Sequence, residues 1–144
     1  MKRREANGQG FEVSVGFAAD AGGAGVAYAA METAGEPRLL RLPFFVRRTD
    51  MLEEREVGYA ALRAVAGAIR KNYHGAIRFV VADEALVADL EERRPLPGAL
   101  TMPYVALRCA LNRFTNAEVG FAATARIEDL TARAKAEVSL HVAA

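Results

Sequence analysis

Ile77-Arg-Phe-Val-Val-Ala-Asp83-Glu-Ala-Leu-Val-Ala-Asp-Leu90 changes its period partway along. Ile77, Phe79 and Val81 recur at every second residue, as in a strand, and from Glu84 to Arg93 the pattern is helical. Asp83 stands between the two, where a short carboxylate can cap the first helical turn. The chain thus passes directly from a strand into a helix, the step from which mixed sheets covered by helices are built.

Upstream, the text is hairpin-rich. Phe11, Val13, Val15 and Phe17 alternate with Glu12, Ser14 and Gly16, which predicts a first strand. A turn at Asp20-Ala-Gly-Gly leads to a second strand over Gly25–Met31, and Gly35-Glu-Pro37 leads to a third over Arg38–Val46. Gly22, Gly23 and Gly25 match no phosphate-loop pattern, so hairpin geometry accounts for them. Val57, Ala61, Leu62, Val65 and Ile69 then form a helical stripe, with Glu56, Arg63 and Arg70 on the opposite face. Downstream, Pro95, Pro97 and Gly98 make a loop, and Pro103 suits the first turn of a helix reaching Phe114. Glu118–Thr124 reads as a fifth strand and Glu128–Val138 as a closing helix. The order is βββ-α-β-α-α-β-α: one α/β domain over residues 11–144 with a five-stranded mixed sheet, after a basic flexible tail at residues 1–10.

Composition agrees with that reading. Hydrophobic residues make up 52% and charged residues 26%, with a mean hydropathy of +0.05, which excludes a mainly disordered chain. Nineteen basic residues against 18 acidic give a net charge of +1, so any nucleic-acid surface must be a local patch. Cys109 is the single cysteine, so no internal disulfide can form and a reducing cytoplasm is the expected compartment. Set between Leu107 and Leu111, it is expected in buried packing. The longest uncharged stretch, Pro95–Leu107, is too short to span a bilayer.

The element order, at this length, resembles the ribonuclease H-like family. Asp83-Glu-Ala-Leu-Val resembles the family's Asp-Ser-x-Leu-Val, and Gly58-Tyr-Ala-Ala-Leu its Glu-Tyr-x-Ala-Leu. Val15-Gly-Phe-Ala, followed by Gly22-Gly-Ala-Gly, resembles the Asp-Gly-Ser strand and its hairpin. Arg126-Ile-Glu-Asp-Leu-Thr-Ala-Arg-Ala resembles the closing helix. The resemblance implies cleavage of RNA in RNA–DNA hybrids by two divalent metals, Mg²⁺ or Mn²⁺, held by four carboxylates. On this alignment only Asp83 keeps its carboxylate. Gly16, Gly58 and Arg133 stand at the other three positions, and Ala123 replaces a histidine. Asp20 and Asp129 are the carboxylates that could rebuild a relocated site.

No catalytic set is therefore expected, and no cofactor unless the ligands have moved. His74 and His141 have no metal-ligand spacing. The strongest basic clusters are Arg47-Arg48 and Arg93-Arg94, candidates for nucleic-acid phosphates. Glu53-Glu54 and Glu91-Glu92 lie close to them, and the second pair of arginines also suits the end of a helix. The leading expectation is a catalytically inactive ribonuclease H-like binding module for duplex or RNA–DNA hybrid nucleic acid. The alternatives are a protein-interaction or homo-oligomerising domain, with the apolar loop Leu96–Tyr104 in the contact, and a nuclease with relocated ligands.

Overall fold

A computed structural model describes residues 11–33, 36–47, 55–92 and 95–143. Strands β1 (Phe11–Ala19), β2 (Ala24–Thr33) and β3 (Glu36–Phe45) precede helix α1 (Arg55–Arg70). Strand β4 (Ala76–Val81), helices α2 (Glu84–Leu90) and α3 (Thr101–Leu111), strand β5 (Asn116–Phe121) and helix α4 (Ala125–Ala143) follow. The sheet order is β3-β2-β1-β4-β5, with β1–β2 and β2–β3 antiparallel and β1–β4 and β4–β5 parallel. Consecutive strands pair through hairpins, while the parallel pairs require the helical crossovers that α1, α2 and α3 supply. None of the described helices is long and apolar enough to cross a membrane.

Alternation along the strands sorts side chains between two layers. Val13, Val15, Ala27, Ala29, Phe79 and Val81 face a core closed by Leu62, Val65, Leu86 and Leu107 from α1, α2 and α3. On the other face Val26 and Tyr28 meet Leu130 and Ala134 of α4, with Ala18, Ala30 and Val138 at the margin. Between them lies β1, covered on both sides. The first hairpin is held by Asp20, whose Oδ1 accepts the Gly22 amide at 2.8 Å and the Ala24 amide at 3.0 Å. Gly23 takes a φ of +100°, open to glycine at little cost, and so closes the turn.

Several boundaries differ from the sequence reading for local reasons. A 3₁₀ turn, Gly98–Leu100, precedes α3, which starts at Thr101, carries Pro103 in its first turn and ends at Leu111 rather than Phe114. Thr124 caps α4, with the Ile127 amide donating to its Oγ1 at 3.2 Å, which starts the closing helix earlier than Glu128. At the other end of the chain's second helix, Glu92 takes a φ of 58°, a left-handed turn that stops α2 before Arg93. Cys109 is exposed, not buried. It follows Leu107 by two residues, about 200° round the helix, and so points away from the core. In the Leu96–Tyr104 segment, Leu100 is fully buried and Leu96 and Tyr104 pack against the core, while Gly98, Ala99, Thr101 and Met102 are exposed.

Candidate functional site

The strand-to-helix step at Asp83 builds the candidate site. Its Oδ1 accepts the Leu86 amide at 3.0 Å, capping α2. The other oxygen faces α1, where a β-carbon on Gly58 would lie 3.3 Å from Oδ2. The same β-carbon would lie 3.1 Å from Leu86 Cδ2 and 3.2 Å from Phe17 Cζ. Asp83 and Gly58 therefore meet, as the resemblance implies, and their third neighbour from β1 is Phe17.

Gly16 is elsewhere. A β-carbon there would lie 2.6 Å from the Leu130 carbonyl carbon and 2.7 Å from Leu130 Cβ, and closer still to the Thr131 amide nitrogen. Gly16 thus faces α4, on the side of the sheet away from Asp83, and its missing side chain lets that helix approach β1. Arg133 also belongs to the α4 side, its guanidinium 5.5 Å from the centre of the Tyr28 ring. The expectation that Gly16, Gly58, Asp83 and Arg133 meet in space is corrected on this point: only Gly58 and Asp83 do.

A divalent metal pair does not fit these residues. Hard cations need several anionic oxygens, and the site offers one carboxylate beside a phenyl ring, a leucine methyl and a glycine. Asp20 is occupied in the hairpin, and Asp129 is exposed. Among the described residues, no group of three His, Cys, Asp or Glu side chains could hold a metal ion. Capping gives Asp83 a structural role of measurable size. Asp83→Ala is expected to lower stability by about 0.5–2 kcal/mol in a denaturant titration. Asp83→Asn, which still presents an accepting oxygen, should lose much less; equal losses would assign the effect to the charge.

Two polar networks were not anticipated. Asp89, 3% exposed, takes two bonds from Arg55 Nη1 at 2.7 and 2.8 Å and one from the Tyr59 hydroxyl at 3.1 Å. They tie the start of α1 to the end of α2. Burial, and then the Asp89 charge, push the Tyr59 hydroxyl well above its usual pKa of 10.0. On the opposite face, Glu137 of α4 accepts from the Tyr28 hydroxyl and from Arg41, the latter through Nε at 3.0 and 2.9 Å. That pairing raises the Tyr28 pKa and fastens α4 to β2 and β3. The sequence signal for Asp89 was its place beside Leu86 and Leu90 on an inward helical stripe; Glu137 carried no local signal.

Of the basic candidates, Arg47 is exposed after β3. It shares a groove of about 300 Å³ with Glu56 and Arg63 of α1 and Met102 of α3. Arg48, Arg93 and Arg94 lie outside the described residues, as does the tail at residues 1–10.

The architecture is the ribonuclease H-like fold. The chain is similar to the RNase H1 of the halophilic archaeon Halobacterium salinarum NRC-1, with a TM-score of 0.68, 15% identity, and coverage of 90% of this chain and 99% of that one. It is also similar to the N-terminal RNase H domain of a Mycobacterium tuberculosis protein, solved as a fusion with maltose binding protein, with a TM-score of 0.63 and 14% identity over 93% and 99% of the two chains. A third similar structure, LC11-RNase H1 in complex with RNA/DNA hybrid, gives a TM-score of 0.60 and 12% identity over 88% and 97%. No protein-family model and no curated protein matches the sequence. At such identities the likeness concerns the fold.

Proposed function

We propose that this chain is a ribonuclease H-like module that binds duplex or hybrid nucleic acid and does not cleave it. One observation carries the loss of cleavage: beside Asp83, the place of metal-holding side chains is taken by the Phe17 ring and by Gly58, which has no side chain. The binding half is supported by the fold, which one similar protein uses to hold an RNA/DNA hybrid, and by a surplus of arginine over lysine on the basic side of the balance. Phosphate contacts need neither metal nor carboxylate, so binding does not depend on the missing carboxylates.

The test pairs two assays on one labelled RNA–DNA hybrid. Incubation with Mg²⁺ or Mn²⁺ is expected to leave the hybrid intact. Fluorescence anisotropy at low salt is expected to show binding that weakens steeply as salt rises, as counterion release requires. A metal-dependent product that vanishes in Asp83→Ala would replace this reading with that of a nuclease. An intact hybrid that is not bound would remove nucleic acid as the ligand.

A further inference from the structure

Arginine is the common cation here, yet most of the described arginines already have a partner. Arg41 pairs with Glu137, Arg55 with Asp89, Arg78 with Glu12 and Glu118, and Arg108 with Glu92. Arg133 lies over the Tyr28 ring, and Arg126 is also engaged. Among the described residues, Arg38, Arg47, Arg63 and Arg113 show no carboxylate partner, and Arg70 donates through Nε to the Arg113 carbonyl at 2.9 Å. Four of these five converge. Arg63, Arg70 and Arg113 line a groove of about 240 Å³ between α1 and α3, with no carboxylate among its lining residues. Arg63 also lines the adjoining groove that holds Arg47, where Glu56 is the one acid.

The groove is built to admit a chain. Its floor consists of Ala66, Gly67 and Ala110, and a β-carbon on Gly67 would have nothing within 4 Å. Arg63 and Arg70 lie seven residues apart on one face of α1, about 10 Å along its axis. The bond from Arg70 to the Arg113 carbonyl holds one guanidinium against the groove wall and leaves its terminal nitrogens to donate outward. Gly67 follows Gly58 by nine residues, about half a turn round the helix, so this face looks away from Asp83.

We propose that the α1–α3 groove holds the phosphodiester backbone of the bound nucleic acid, with Arg63, Arg70 and Arg113 as its phosphate contacts and Arg47 extending the track. The proposal rests on the binding function argued above and places the polymer along the outer face of α1, away from Asp83. Guanidinium forks suit phosphate oxygens, and a row of them reads backbone without reading sequence.

The experiment uses the full chain and a fluorescein-labelled RNA–DNA hybrid. At about 50 mM salt, Arg63→Glu with Arg113→Glu should raise Kd by roughly tenfold or more, and should lower the salt-dependence slope by about 2, one phosphate contact for each arginine. Arg38→Glu, on β3 and outside both grooves, should change Kd less than twofold. The exposed Cys109, the single cysteine, lines the same groove and gives a second readout without mutation. Bound hybrid should slow its alkylation by iodoacetamide at least severalfold in the unmodified protein. Binding that leaves Cys109 fully reactive, or that the double reversal does not weaken, would overturn the groove while leaving nucleic-acid binding in place. No binding of the hybrid at low salt would overturn both.

Discussion

Gly16→Asp is expected to lose about 4 kcal/mol or more of stability and to melt far below the parent. Overpacking ordinarily costs about 1–3 kcal/mol because side chains can shift aside. Here the new β-carbon would sit within 2.7 Å of Leu130 backbone and side-chain atoms and against the Thr131 amide, so a whole helix must move. The carboxylate would also enter a buried position between β1 and α4, adding the cost of desolvating a charge. A domain of this size has only about 5–15 kcal/mol to lose. Circular dichroism melts of Gly16→Ala and Gly16→Asp check this: both should fall, the aspartate further. A fully stable Gly16→Asp would mean that the glycine faces open space and that the close approach of α4 is wrong.

That register was partly legible in the sequence. Val13, Val15 and Phe17 alternate with Ser14 and Gly16, so Gly16 and Phe17 had to face opposite sides of the sheet. The pattern does not say which side receives α1 and which α4, because both layers cover β1 with apolar side chains. Matching Val15-Gly-Phe-Ala by residue type placed the glycine at the site, one residue short of Phe17. A slip of one along a strand changes the face. By contrast the element order and the Asp83 cap followed from periods and from one side chain's reach, which are local facts. The partners of Asp89 and Glu137 come from residues 34 and 96 positions away, and no local pattern anticipates them. Cys109 fell on the wrong side of α3 because Leu107 and Leu111 are one turn apart and the residue midway between them points outward.

The corrected register gives a sharper test of the site than restoring carboxylates at Gly16 and Arg133 would. Phe17→Asp with Gly58→Glu should create, around Asp83, a cluster of three carboxylates from β1, the β4–α2 junction and α1. The two changes help each other, because removing the Phe17 ring clears one of the three contacts that a side chain on Gly58 would meet. Without metal the variant should melt below the parent, since packing is lost and like charges are crowded together. Mg²⁺ or Mn²⁺ should then raise its Tm by several degrees: binding to the folded state alone adds about 2.7 kcal/mol when the free metal is a hundred times Kd. The parent, with one carboxylate and a phenyl ring at the same place, should show no such shift. Phe17→Asp alone, with two carboxylates, should respond more weakly, and Gly58→Glu alone should be destabilised by the ring it faces. Calorimetric melts with and without metal distinguish these outcomes. A folded double variant that ignores both metals would mean that Phe17, Gly58 and Asp83 do not share one site, and the proposed match of this place to the family's metal site would go with it.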